Sequence, residues 1–137
     1  NTPAEYLQQM AQTQGFIVEI NNRDRNEYKR ILSKSLAGFA PLRPACVWSM
    51  AAMDCMGLGI PVIAPNMAAF PEFIPQKLLY KNQSELENIV KNIIEDSAFR
   101  QSMSRQCFDI AKKYSAKNIA GKLESAFKQV LDKTCME

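Results

Sequence analysis

The 137-residue chain contains no histidine, and this absence narrows the chemistry open to it. Without imidazole there is no serine–histidine dyad and no histidine-bound metal. The four cysteines also lack the C-x-x-C spacing of zinc and redox motifs, so we expect no metal site. Reduced and mostly buried thiols, typical of a cytosolic protein, are expected instead at Cys46, Cys55, Cys107 and Cys135.

We also expect no signal peptide, and the sequence has no uninterrupted membrane-spanning run. It opens with Asn-Thr-Pro-Ala-Glu, which has neither the charge nor the apolar core of a secretory signal. The apolar stretch 45–64 has the length of a membrane span, but it is interrupted by Asp54, Gly57, Gly59 and Pro61. We therefore predict two buried elements in this stretch and a cytoplasmic protein.

The chain has no strong charge of either sign. Its net charge is +3, and the basic residues are spread over several segments, which argues against a nucleic-acid partner. An anionic small ligand fits this sign, and so does a neutral partner. With 47 % apolar and 23 % charged residues, the composition predicts one globular domain over residues 1–137.

Signals for helices and strands alternate along the first half of the chain, and the second half is helical. The predicted helices cover Thr2–Thr13, Asp24–Lys34 and Val47–Met56, and three more begin at Ser84, at Asp96 or Ser97, and at Ser115. The predicted strands are Phe16–Ile20, Leu36–Pro41, Ile60–Ala64 and, more weakly, Lys77–Tyr80. This alternation predicts an α/β fold: a parallel sheet of about four strands flanked by helices, with a helical C-terminal tail.

Apolar residues at helical spacing identify the inward faces of the last three helices. The expected core positions are Leu86, Ile89, Val90, Ile93 and Ile94 in the first of these helices, Phe99, Met103, Cys107 and Ile110 in the second, and Ile119, Leu123, Phe127, Val130 and Leu131 in the third.

Ligands of open parallel sheets bind beyond the carboxyl ends of the strands, and two predicted loops follow such ends, 42–46 and 65–71. Behind the first loop, Trp48, Ser49 and Met50 begin a helix, whose unpaired amides favour anions. In the second loop, Ala68 and Ala69 are small enough for a diphosphate to approach the backbone. The alternatives are an ordinary capped helix and a plain turn.

Asp54 is a carboxylate on an otherwise apolar and methionine-rich helix. Such a group can accept hydrogen bonds from two neighbouring hydroxyls, as a ribose 2′,3′-diol offers. The alternative is an aspartate on the solvent face of its helix.

The segment 43–72, RPACVWSMAAMDCMGLGIPVIAPNMAAFPE, resembles the nucleotide-sugar donor site of retaining glycosyltransferases with the GT-B fold. That family carries an E-x7-E motif in the setting E-G-F-G-x-x-x-x-E-A-M-A-x-G-x-P-V-I-A. Aligned on residues 59–64, the second glutamate falls on Asp54 and the first on Cys46. Trp48 and Ser49 stand where the family has Phe-Gly. Residues 66–72 are similar to the family's loop, in which a glycine pair precedes a closing Pro-Glu, with Ala68 and Ala69 replacing the glycines.

The resemblance implies a Rossmann-like, three-layer donor domain that forms the C-terminal half of a larger GT-B protein. A nucleoside-diphosphate sugar would be the donor substrate, with no further cofactor and no metal, and its sugar would be transferred with retained configuration. Asp54 would bind the ribose, the Trp48–Met50 amides and the Ala68–Ala69 loop would bind the diphosphate, and the backbone near Arg43 would face the base. Cys46 would occupy the catalytic position beside the transferred sugar.

Three further expectations follow from the resemblance. The acceptor-binding domain would precede Asn1, so this chain alone would be inactive. The resemblance does not identify the acceptor. Any contact with a membrane surface would be made by that preceding domain. A truncated sheet would expose an edge strand, through which a homodimer would form.

Two other functions stay open. Because a neutral Cys46 thiol is a poor hydrogen-bond acceptor, a glycosyltransferase-like domain that has lost catalysis and serves binding or assembly is the main alternative. A nucleotide-sugar epimerase or a response-type domain ranks last, since such epimerases usually need histidine.

Overall fold

Helices alternate with short parallel strands in a computed structural model of the chain, which describes residues 24–40 and 48–134. The chain divides into two compact units, residues 1–31 and residues 32–137. The predicted helix Thr2–Thr13 and the predicted strand Phe16–Ile20 lie outside the described residues. In the rest, the predicted α/β class is confirmed at the level of a mixed fold with a small parallel sheet.

Asp24 begins helix α1 (Arg25–Ser33) as its sequence predicts. The Asp24 carboxylate accepts hydrogen bonds from the amides of Asn26 at 2.8 Å and Glu27 at 3.4 Å. These contacts satisfy two of the amides that a helix start leaves unpaired. One turn later, the exposed Arg30 guanidinium pairs with the Glu27 carboxylate at 2.6 Å.

The second unit contains a sheet of three parallel strands within the described residues: β1 (Gly38–Phe39), β2 (Val62–Pro65) and β3 (Leu79–Tyr80), in the order β1-β2-β3. The register aligns Gly38 with Val62 and Ala64 with Leu79. Helix α2 (Met50–Gly57) connects the first two strands. A single-turn helix α3 (Phe70–Phe73) and a 3-10 turn (Gln76–Leu78) connect the last two.

Three helices follow the sheet: α4 (Gln83–Glu95), α5 (Ser97–Lys113) and α6 (Ala116–Thr134). Asp96 begins α5 by accepting a hydrogen bond from the Phe99 amide at 2.9 Å, in agreement with the prediction. Helix α4 begins one residue before the predicted start. Its cap is Asn82, whose side chain accepts from the Glu85 amide at 2.9 Å. No helix in residues 24–40 and 48–134 combines the length and hydropathy needed to cross a membrane.

Strand β2 lies at the centre of the core, and each of its residues is buried. On one face, Val62 lies beside Cys55 of α2, where Gly38 brings β1 close to that helix. A Cβ atom added to Gly38 would lie 2.8 Å from the Cys55 Sγ. On the other face, Ile63 borders the same groove as Val90 and Ile93 of α4. Because successive side chains of a strand point to opposite faces, helices cover both sides of β2.

The predicted core positions of α4 and α5 are largely confirmed, since Ile89, Ile93, Met103 and Cys107 are buried. Ile94 is the exception in α4 and is exposed, because it lies at the edge of the helix's apolar stripe.

The prediction was wrong for α6. Helical spacing correctly places its apolar residues on one face, but that face points away from the core, and four of the five expected core residues are exposed: Leu123, Phe127, Val130 and Leu131. The periodicity of a sequence shows that a face is apolar and leaves open what covers it.

Candidate functional site

Two segments of the second unit reach the carboxyl edge of the sheet, where parallel folds bind their ligands. The first consists of Trp48 and Ser49, just before α2. The second is the turn 66–69, between β2 and α3. Arg43 and Cys46, predicted to face the base and the transferred sugar, lie outside the described residues. The remaining candidate residues can therefore be placed on these two segments and on α2.

The turn after β2 is tied to the neighbouring strand. The Asn66 amide donates a hydrogen bond to the Tyr80 carbonyl of β3 at 2.7 Å, and the Met67 amide donates to the Pro65 carbonyl at 2.8 Å. The Phe70 amide then closes the turn onto the Met67 carbonyl at 3.3 Å. These bonds hold the backbone of the turn in place at the carboxyl edge.

Ala68, at the centre of this turn, has a φ angle of 54° and is the one non-glycine residue with positive φ in the described part of the chain. The left-handed conformation costs an L-residue about 1–2 kcal/mol, whereas glycine adopts it freely. Ala68 is exposed and Ala69 is half-buried. The backbone of the turn is therefore strained at Ala68, although the exposed Ala68 side chain contributes little to packing. Such strain is concentrated at functional sites.

The residues that follow the turn form a helix rather than the expected loop. Pro71 and Glu72 lie in α3, with Pro71 near the helix start, where its missing amide is tolerated. Glu72 is exposed in the first and only turn of α3.

Helix α2 begins at Met50, three residues after the predicted start at Val47. Ser49 is its N-cap, and the Ser49 hydroxyl accepts a hydrogen bond from the Ala52 amide at 3.2 Å. Serine competes with the helix for backbone hydrogen bonds and so stops the helix from extending backwards to Trp48. Trp48 consequently precedes the helix, and the amides at the helix start belong to Met50 and Ala51.

An aromatic cluster connects the start of α2 with the turn after β2. The Trp48 ring lies 4.5 Å from the ring of Phe73 in α3 and 5.1 Å from that of Tyr114, the residue that ends α5. Phe73 is also 5.9 Å from Phe70, which directly follows Ala69. Aromatic pairs at these separations contribute about 0.5–1.5 kcal/mol each beyond area burial. The cluster thus holds α3, and with it the end of the turn, against the segment that precedes α2.

The sequence did not identify Phe73 and Tyr114 as members of this site. The spacing of Phe70 and Phe73 by three residues indicates a helical turn, and this signal could have identified Phe73 from the sequence. Nothing local in the sequence marks Tyr114, because its role comes from the way α5 packs against α2.

Asp54 lies on the exposed face of α2. The buried side of that helix is formed by Ala52, Cys55 and Met56. At 100° per residue, Asp54 lies roughly 150° around the helix from this side. Its neighbours one turn away, Met50 and Leu58, are exposed as well. The Asp54 carboxylate therefore faces solvent along the outer surface of α2.

Cys55 and Cys107 are free and buried, as the expected reduced thiols should be. Burial raises the pKa of the Cys55 thiol, and the negative charge of Asp54 adds to the rise. Burial also raises the pKa of Cys107 to about 11, although a hydrogen bond with the Val62 backbone acts in the opposite direction. Both side chains are neutral at physiological pH and serve the core rather than nucleophilic chemistry.

The described residues offer no cluster of three or more cysteine, aspartate or glutamate side chains arranged to hold a metal ion. The chemistry available at the carboxyl edge is thus that of backbone amides, the Ser49 hydroxyl and the exposed Trp48 ring, and the Asp54 carboxylate lies apart from it on the outer surface of α2.

Comparisons of the chain with protein-family models, with curated protein sequences and with solved structures find no match. The resemblance to GT-B glycosyltransferases therefore stays an interpretation of the sequence.

Proposed function

We propose that this chain is the donor-binding part of a glycosyltransferase that transfers a sugar from a nucleoside-diphosphate sugar to an acceptor. The observation that carries the proposal is the left-handed backbone of Ala68. This residue stands in the loop where the resembling family has a glycine pair, and a positive φ is the reason a loop would need glycine there. The turn keeps this backbone conformation although residue 68 is alanine, which is consistent with a loop whose shape serves a ligand.

The contact between Trp48 and Phe73 gives second support, because it joins the two segments that would share the diphosphate. The amides of Met50 and Ala51 at the start of α2 would face one phosphate, and the backbone of residues 68–69 would face the other. Asp54 would accept hydrogen bonds from a ribose that extends along the outer surface of α2.

The finer description of the fold belongs to the same proposal. A Rossmann-like, three-layer arrangement of about four parallel strands needs one strand more than the three observed, and the sequence predicts it at Phe16–Ile20. The proposal further includes a cytoplasmic protein, an acceptor-binding domain on a longer chain, and no nucleic-acid partner.

A catalytically decayed binding or assembly domain is the rival function. Two observations favour it: Cys46 stands where the family has a catalytic glutamate, and Asp54 faces solvent rather than an enclosed cleft. Both functions predict a folded domain, so nucleotide binding is the property that separates them.

A calorimetric titration of the 137-residue chain with uridine, guanosine and adenosine diphosphates tests the proposal. We expect saturable binding of at least one of them in the micromolar-to-millimolar range, and weaker binding of the matching monophosphate, which has one phosphate fewer to contact. Absence of binding by all three diphosphates at millimolar concentration would contradict the proposal and favour the rival.

The role of Asp54 has a sharper test. A hydrogen bond to a charged group contributes about 1.5–3 kcal/mol, so Asp54→Ala should weaken diphosphate binding roughly 10- to 100-fold. The same substitution should leave the affinity for the 2′,3′-dideoxy analogue unchanged, since that ligand lacks the diol. Asp109→Ala removes an exposed aspartate from α5 and serves as the matched control. Equal loss of affinity for both ligands would exclude a contact between Asp54 and the ribose. Sugar transfer by the isolated chain would contradict the expectation that the acceptor domain is required.

A further inference from the structure

A groove between the end of α5 and the polar side of α6 is lined by charge of a single sign. It has a volume of about 530 Å³, and its charged lining residues are Lys113 of α5 and Lys122 of α6. The other side chains that line it are small or uncharged, among them those of Asn118, Ser125 and Gln129. Because a concave surface lined by one sign of charge focuses the electrostatic potential, this surface, the α5–α6 groove, attracts anions.

Other grooves in the described part of the chain carry charges of both signs. The groove along α5 combines Arg105 with Asp109, and the groove beside α4 combines Lys91 with Glu95, whose charged groups are 4.0 Å apart. The two lysines of the α5–α6 groove form no ion pair within residues 24–40 and 48–134. Their charges are therefore left for a ligand to neutralise.

The segment around the α5–α6 groove holds the positive charge of the whole protein. Residues 112–133 contain six lysines and two acidic residues, which gives this segment a net charge of +4, whereas the whole chain has +3. The remaining residues together carry a net charge of −1. Lysines that are concentrated in one segment repel one another, and a bound anion relieves that repulsion.

The hydrogen-bonding groups of the α5–α6 groove indicate which anion fits. The Asn118 side-chain amide donates to the Lys112 carbonyl at 2.7 Å, and the Ser125 hydroxyl donates to the Gly121 carbonyl at 2.9 Å. The donors left to face a ligand are the two lysine ammonium groups and the Gln129 amide. A Cβ atom added to Gly121 would meet no other atom within 4 Å, so the space above this residue is open.

We propose that the α5–α6 groove binds a small molecule that carries two or more phosphate groups. Lysine binds phosphate as a point charge with three donors, and two separate lysines call for at least two anionic groups. The volume of the groove falls within the range of about 300–1,000 Å³ that small-molecule sites occupy. This site lies on α5 and α6 rather than at the carboxyl edge of the sheet, and it does not depend on the function proposed above.

A titration of the isotope-labelled 137-residue chain with inorganic pyrophosphate, followed by two-dimensional NMR at constant ionic strength, tests the proposal. We expect saturable shifts of the amides of Gly121, Lys122 and Ser125, which lie along the α5–α6 groove. Saturable shifts confined to Ala68 and Ala69 would place pyrophosphate at the carboxyl edge only; they would overturn this proposal and leave the proposed function standing. Equal shifts with sodium chloride would show charge screening by an adventitious ion only, and they would overturn it too.

Paired lysine variants separate a built site from a general effect of net charge. Lys113→Gln combined with Lys122→Gln should weaken pyrophosphate binding at the groove by at least about tenfold, because it removes both charged donors. Lys77→Gln combined with Lys91→Gln removes the same charge from exposed positions elsewhere and should leave the dissociation constant unchanged. Circular dichroism should give equal helix content for both double variants. An equal loss of affinity in the two double variants would contradict the proposal.

Discussion

Replacing Ala68 by glycine should stabilise the protein. The left-handed backbone of Ala68, with φ at 54°, costs an L-residue about 1–2 kcal/mol that glycine avoids. Glycine loses about 0.4–1 kcal/mol more than alanine on folding, because its unfolded chain is more flexible. The Ala68 methyl group is exposed, so its removal leaves no cavity. The balance favours the glycine variant by about 0.5–1 kcal/mol.

Urea denaturation followed by circular dichroism measures this difference directly. The free energy of unfolding should rise by the stated amount, and the melting temperature should increase by about 2–4 °C. Ala98→Gly, at an exposed right-handed position in α5, is the control and should lower the free energy by about 0.5–1 kcal/mol. If Ala68→Gly destabilised the protein as much as the control does, the turn would not hold strain, and the observation that carries the proposed function would fail.

Two more predictions concern the core. Gly38→Ala should destabilise the protein by about 1–3 kcal/mol through overpacking, since the new methyl group would lie 2.8 Å from the Cys55 Sγ; urea denaturation should give a smaller loss in a Cys55→Ala background. Stability should also fall between pH 9 and pH 11. The Cys107 thiol ionises near 9.0 when unfolded and near 11 when folded, so its contribution is complete below pH 9, and at most about 2.7 kcal/mol is lost as the pH rises to 11. Cys107→Ala should flatten this decline in denaturation experiments across that pH range.

Sequence signals placed the helices well, because helix starts depend on local chemistry. Asp24 and Asp96 begin α1 and α5 as predicted, since an aspartate followed by free amides forms a cap whatever the tertiary structure. The cap of α4 lies two residues before the predicted one. Asn82 is as good a cap as the predicted Ser84, and Glu85 reaches back to the Lys81 amide at 2.8 Å.

The candidate site was less accessible to sequence reasoning, because its geometry depends on contacts between distant residues. The small size of Ala68 was visible in the sequence, but its positive φ was not, since an alanine pair usually adopts ordinary backbone angles. The packing of Trp48 against Phe73 and Tyr114 joins residues that are 25 and 66 positions apart. For α6, periodicity identified the apolar face correctly, but its direction is set by the polar contacts near Asn118.

The hydrogen bond from the Asn66 amide to the Tyr80 carbonyl couples the turn to the end of β3, so that the two move together. Because Lys81 comes next and donates its amide to Glu85, a displacement of the turn is passed on to the first turn of α4. Motion of the turn is thereby shared with the start of α4 instead of staying in the loop. Slow solvent exchange of the Asn66 amide proton would be the spectroscopic signature of that tether.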